Sequence, residues 1–295
     1  MNDNNKNENL GSLLVILSAI AFGLMPLVTK IAYSHGCNAY SAAFWRFIFA
    51  GLILSGIIAV VPGYHIRVRF CELRKIFLLS IPFSLTCLLL YTSYNYIGCG
   101  LATTLHFTYP ASVIIIMLVF FRQKPSLRQT ACTIACIAGV IALYKPDGKT
   151  AAAGIILAVL SGIVYSVYIV FLSKSGLRSI PVPVLAFWLS VFASAETAVI
   201  FLPSGLLRVR SIDPAGWAAL AALAVLASVI ALVLFQKGLF LCGEVKASLL
   251  STFEPLTGIF AGIIAFNEKL TIMEGAGIIC ILFSVIILVV KKSKV

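Results

Sequence analysis

Charge is scarce in this chain. Only 11% of its 295 residues are Asp, Glu, Lys or Arg, against 61% hydrophobic, whereas a soluble domain carries about a quarter charged residues. Acids are the scarcest class, with 10 Asp and Glu against 22 Lys and Arg. A domain folded in water is excluded by this balance. The phosphate-cradling Gly-Lys loop of an ATP-driven pump is missing, and so is a Gly-x-Ser-x-Gly nucleophile motif. The eight cysteines contain no Cys-x-x-Cys pair and no metal spacing. Cys132 and Cys136 share a helix face, too far apart to close a disulfide, so the cysteines read as small hydrophobes. Neither a cofactor nor a metal is called for. Alternating strand segments are also missing, which argues against a membrane barrel.

Long apolar runs are plentiful instead, and the mean hydropathy is +1.08. Leu10 to Thr29, Ile76 to Ile97, Ala151 to Ser173 and Pro214 to Gln236 hold no acid or base. Each meets the roughly 20 residues needed to cross a ~30 Å hydrocarbon core. The predicted fold class is an all-α membrane protein with ten transmembrane helices. The spans are 10–32, 40–61, 76–97, 99–121, 129–145, 152–173, 182–202, 215–240, 246–266 and 271–290. Links such as "SHGCNAY" and "FNEKLT" leave no room for a soluble domain. Residues 1–9, "MNDNNKNEN", read as a disordered polar tail; they lack the basic segment and small-residue cleavage site of a signal peptide. Residues 291–295 form a basic tail.

The net charge of +12 would suggest nucleic acid in a soluble protein. Here it sorts by loop. With the N-terminus inside, the inner loops and tails hold 15 Lys and Arg and the outer loops hold 6. That is the positive-inside bias, and it puts both termini in the cytoplasm of a plasma-membrane protein. The partners implied are the lipid bilayer and a small-molecule substrate, with no nucleic acid; the oligomeric state is not legible.

The chain also repeats itself. "CGLATTLHFTYPASVIIIMLVFFRQKPS" (99–126) aligns with "EVKASLLSTFEPLTGIFAGIIAFNEKLT" (244–271), with Pro110 on Pro255 and Ala102 on Ala247 at an offset of 145. "AFWRF" (43–47) aligns with "AFWLS" (186–190) at an offset of 143. The units are residues 10–145 and 152–290, five spans each. An odd span number inserts the second copy upside down, so the fold is two inverted five-helix repeats, with a substrate site near the midplane between them. Loop charge agrees: "RQKPSLRQ" is more basic than its mate "NEKLT".

"FGLMPLVTK" closing span one, "FWRFIFAGLIL" in span two and "STFEPLTGIFAGIIAFNEKLT" in span nine resemble the EamA-type family of the drug/metabolite transporter superfamily, over essentially residues 10 to 290. The first half departs from the family pattern. Gln123 stands where an acid is usual after span four, and Tyr109 stands opposite Glu254. The resemblance implies a secondary transporter that exports or exchanges amino acids and related metabolites. It also implies a cavity lined by spans one, three, four, six, eight and nine. Two rival readings are a lipid-carrier flippase or non-transporting sensor, and, more remotely, an intramembrane enzyme using Glu254 and His106 as an acid/base pair.

Glu254 is the leading candidate for substrate or proton binding. A charge at bilayer depth costs on the order of 3 kcal/mol, and Pro255 beside it frees a carbonyl near Ser251. Gly258 and Gly262 follow on the same face, suiting close helix contact or cavity lining. Two readings stay open: a ligand or proton group, or a hydrogen-bonded acid kept for packing. His106, the one histidine within a span, is either a cavity donor or a packed side chain. Tyr91, Tyr94 and Asn95 fall on one face of span three, Tyr165 and Tyr168 on one face of span six. Gln236 is the repeat equivalent of Tyr91. Pro26, Pro110 and Pro255 are the candidate hinges. Arg46, whose repeat mate is Leu189, either snorkels or pairs internally. Lys30 and Glu274 sit at span ends as anchors. Glu196, in span seven, is an acid without an assigned role.

Overall fold

The computed structural model describes residues 2–142, 151–266 and 272–289. Lys145, Lys149, Lys269 and the tail 291–295 of the topology count lie outside them, as does the loop with Glu268. No strand occurs among the described residues. The helices run in order α1 (Asn2–Gly23), α2 (Met25–Ser34), α3 (Ala39–Val60), α4 (Phe70–Ser93), α5 (Cys99–His106), α6 (Tyr109–Phe121) and α7 (Leu127–Ala142). Then follow α8 (Ala152–Lys174), α9 (Val182–Phe201), α10 (Pro214–Leu223), α11 (Leu232–Cys242), α12 (Glu244–Leu250), α13 (Phe253–Phe266) and α14 (Ile272–Val289). A π-helical segment, Ala224–Ala231, joins α10 to α11.

Among the described residues, seven helical stretches are long and apolar enough to cross a bilayer: Lys6–Ser34, Ala39–Val60, Phe70–Ser93, Leu101–Phe121, Ala152–Lys174, Val182–Phe201 and Pro214–Cys242. Their outward residues, including Leu52, Phe120, Ile156 and Val199, are exposed and apolar, the surface a hydrocarbon solvent requires. Apolar packing gains little over lipid contact, so close fit and internal polar pairs hold such helices together. Starts follow local chemistry. Asn38 caps α3 by accepting from the Ser41 amide at 2.8 Å, and Asp213 caps α10 by accepting from the Gly216 amide at 2.8 Å.

Two expectations are corrected. Residues 2–9 are helical rather than a disordered polar tail. Lys246 holds the Glu8 carboxylate at 2.9 Å, and the Ser12 hydroxyl donates to the Glu8 carbonyl at 2.8 Å, so this polar stretch has partners. Spans one, four and nine are broken near the expected prolines. Each is two helices separated by one or two residues: Leu24, Phe107–Thr108 and Ser251–Thr252. The prolines fall just after each break. Pro26 and Pro110 are second residues and Pro255 the third of the following helix, where an N–H has no intrahelical acceptor anyway. The Ser251 carbonyl accepts from the Glu254 amide at 2.9 Å, so it is not left free.

Helix α4 packs on α8 and α9, α1 on α11 and α13, α3 on α9 and the π segment, and α7 on α14. Loops tie the two ends. On one side His35 and Asp213 pair at 2.8 Å, Asn38 donates to the Leu206 carbonyl at 2.8 Å, and the Arg208 amide donates to Ser41 Oγ at 2.7 Å. On the other, Trp188 Nε1 donates to the Ile66 carbonyl at 2.9 Å and Lys75 to the Ser175 carbonyl at 2.7 Å.

Candidate functional site

The breaks in α5/α6 and α12/α13 bring a polar and aromatic cluster into the interior. Helix α5 ends at His106, so the side chain points from a helix terminus. It is buried and its Nδ1 lies 2.8 Å from Ser161 Oγ of α8. The His106 ring packs against Tyr109 and Tyr165, each with centroids 5.4 Å away. Tyr165 is the hub: it also meets Tyr109 edge-on at 5.1 Å, stacks on Tyr168 at 5.9 Å and reaches Phe235 at 6.0 Å.

Glu254 follows the other break. It is 8% exposed, and among the described residues its carboxylate has no hydrogen-bond or ion-pair partner. Its charge acts on Tyr94, Tyr109 and Tyr165. Among the described residues no hydrogen bond or ion pair joins Glu254 to His106; the His106 ring packs on Tyr109 and Tyr165, which also neighbour Glu254 electrostatically. Two glycines let α1 and α8 close on these breaks. A Cβ on Gly23 would collide with the Glu254 carbonyl, and one on Gly162 with the His106 carbonyl. Gly258 has room for a methyl group, since only the Gly23 carbonyl lies near, at 3.7 Å. The close approach expected at Gly258 therefore depends on Gly23. Gly262 falls among residues whose side-chain surroundings are not described.

Arg46 is buried at 4% exposure. It resolves the open choice by pairing internally: Nη1 donates to Tyr91 Oη at 2.9 Å, and the guanidinium lies 4.8 Å from the Phe47 ring centroid. It has no carboxylate partner among the described residues, and its charge also reaches Tyr165. Gln236 is fully buried and donates through Nε2 to Tyr168 Oη at 2.9 Å. Among the described residues, Arg46 Nε, Thr108 Oγ1 and Gln236 Oε1 are buried without a hydrogen-bond partner, and Tyr94 Oη, Thr103 Oγ1 and Tyr109 Oη are buried without a hydrogen bond of good geometry. Each such group costs about 1–3 kcal/mol in an apolar interior.

The expected set is thus mostly gathered. Tyr91, Tyr94, His106, Tyr165, Gln236 and Glu254 belong to one interior region. Asn95 does not: α4 ends at Ser93, and Asn95 sits in an exposed turn beyond it. Sequence reasoning missed Ser161 and Gly162 of α8. Their signal was present, since Ser161 lies one helical turn from Tyr165 on the same face. An open cavity of about 460 Å³ lies between the end of α6 and the start of α12, lined by Gln123, Lys124, Gln129, Glu244 and Lys246. Beside it Lys174 pairs with Glu244 at 2.9 Å, and Ser173 Oγ donates to Glu244 at 2.6 Å.

Comparison with known proteins agrees with this architecture. The EamA-like transporter family matches residues 9–145 and 152–290. An uncharacterized transporter of Synechocystis sp. is 30% identical over 212 residues, covering 69% of this chain and 63% of that protein. The uncharacterized transporter YvbV of Bacillus subtilis is 26% identical over 304 residues, covering 96% of this chain and 92% of that protein. A solved crystal structure aligns with a TM-score of 0.74 over 94% of this chain and 95% of its own, at 15% identity. That likeness concerns the fold alone.

Proposed function

The chain belongs to the EamA-like transporter family of multi-pass membrane transporters, and from that premise we propose that it moves small metabolites by alternating access around a central site at Glu254. The observation that carries this reading is a carboxylate at 8% exposure with no partner among the described residues, set at a helix break among buried polar atoms without well-formed hydrogen bonds there. A polar molecule entering there would satisfy donors and acceptors that the protein leaves unpaired. Amino acids and related compounds suit the pairing of a buried acid with a buried arginine across Tyr165. Export or exchange is the direction we favour, at the plasma membrane with both termini cytoplasmic.

The helix contacts support two inverted five-helix halves within a ten-span plan. Under the sequence offset, α4 on α8 becomes α11 on α1, and α6 on α8 becomes α13 on α1; both contacts of each pair occur. The pairs α3–α9 and α7–α14 map onto themselves. The halves would rock about the breaks at Pro26, Pro110 and Pro255. Under this topology the cavity beside Glu244 would open toward the inner end.

The test is uptake into liposomes of labelled amino acids, sugars and cationic drugs, with and without a pH gradient. Glu254→Gln keeps shape and insertion and removes the charge. Transport of the compound that scores falls at least tenfold, a barrier change of roughly 1.4 kcal/mol. If the variant folds poorly but its folded fraction transports normally, Glu254 is a packing residue.

A further inference from the structure

Glu196 of α9 is the acid that the central site does not use. It is half-buried, about 21 Å along its helix from Val182. Its two carboxylate oxygens meet two hydroxyls of α4: Ser80 Oγ at 2.5 Å and Ser84 Oγ at 2.6 Å. Both serines are buried. The elements packed on α9 are α3, α4, α11 and the π segment. Their titratable and charged groups are Tyr40, Arg46, Cys71, Glu72, Arg74, Lys75, Cys87, Tyr91, Lys237 and Cys242. None of these is among the groups that interact with Glu196; Ser80 and Ser84 are.

We propose that Glu196, held by Ser80 and Ser84 where α4 meets α9, is a proton-binding site separate from the central cluster, and that its occupancy switches hydrogen bonds between the two halves. Ser80 Oγ also lies 2.7 Å from the Phe77 carbonyl and Ser84 Oγ 3.2 Å from the Ile81 carbonyl. A hydroxyl has one proton to donate. With Glu196 ionised, both hydroxyls donate across the seam. With a proton taken from water onto one carboxylate oxygen, the carboxyl donates to one serine. That serine's own proton then turns back to its α4 carbonyl. Only an O–H bond forms or breaks. Both states are fully hydrogen-bonded, and they differ in how tightly α4 is tied to α9.

The switch sits where α4 is weakest. Pro82 lies between the two serines inside the helix and supplies no N–H to the preceding turn. The same helix carries Tyr91 and Tyr94 into the central cluster. The repeat supplies an internal control. At an offset of 143 the equivalent of Glu196 is Ile53 of α3, also half-buried, and α3 packs on the π segment as α9 packs on α4. An apolar residue serves the fold there, so packing alone gives no reason for an acid.

The use of this proton rests on the transporter reading, but the test needs no substrate. Purified full-length protein is titrated from pH 9 to pH 5 by infrared difference spectroscopy, as wild type, Glu196→Gln and Ser80→Ala/Ser84→Ala. Wild type shows a carboxylic C=O band that grows as pH falls and is missing in Glu196→Gln. In the double serine variant, the band remains and its midpoint moves by about one pH unit, the scale of a lost hydrogen bond to a charged group. Deuterium uptake across residues 76–88, referred to intrinsic exchange at each pH, changes at least twofold in wild type and stays level in Glu196→Gln. A titrating spectrum that Glu196→Gln leaves unchanged overturns the proton site. Uptake in wild type that does not follow the band overturns the switch. Failure of the liposome screen would leave both outcomes readable.

Discussion

Replacing Gly23 by Ala probes the contact on which the Glu254 break depends. A Cβ at Gly23 would lie 2.5 Å from the Glu254 carbonyl oxygen and 2.6 Å from Thr257 Cβ. Carbon atoms in contact sit about 3.5–4.0 Å apart. Both obstacles are fixed to the backbone, so no rotamer change relieves the clash and α1 has to part from α13 by about 1 Å. Overpacking of this kind costs about 1–3 kcal/mol. At roughly 2–4 °C per kcal/mol for a large chain, the melting midpoint falls by roughly 2–12 °C. Gly258→Ala is the matched control across the same interface. Its methyl meets only the Gly23 carbonyl at an ordinary 3.7 Å, and it gains about 0.8–1 kcal/mol of helix propensity. The assay is a tryptophan-fluorescence melt of each protein in nanodiscs. Equal melts for Gly23→Ala and wild type, or a larger loss in Gly258→Ala, would refute the reasoning that Gly23 is where the helices touch.

The prolines beyond the breaks give a kinetic prediction: Pro110→Ala and Pro255→Ala insert normally but slow transport, and wild-type rates in both would reduce them to packing features. Topology is checked by C-terminal reporter fusions, which are active on the cytoplasmic side; activity only on the far side sinks the inverted repeat as well. Asp213 is held below the usual carboxylate range by the Gly216 amide and then by His35. Its ionised form therefore stabilises the folded state above about pH 4. Asp213→Asn lowers the melting midpoint at pH 7, and the gap from wild type closes as pH falls through the lowered value. A gap that persists in acid would show that the charge is not what ties loop 206–213 to His35.

What the sequence by itself determined follows from what is local along a chain. Apolar runs of bilayer length, the basic bias of the loops, the matched blocks around Pro110 and Pro255 and the lone Glu254 are all patterns within a few tens of residues. They were enough for the helical class, the family and the places where helices stop. A proline needs no N–H partner in a first turn, so the breaks were legible as prolines. The tertiary structure alone decided which polar groups meet. Arg46 finds Tyr91, Gln236 finds Tyr168, His106 finds Ser161 and Glu196 finds Ser80 and Ser84. Each pair joins different helices, and a helix that is apolar all round carries no moment to say which way it is turned. Its rotation is set by close fits such as Gly23 under the Glu254 carbonyl, and those exist only once two distant segments have been brought together.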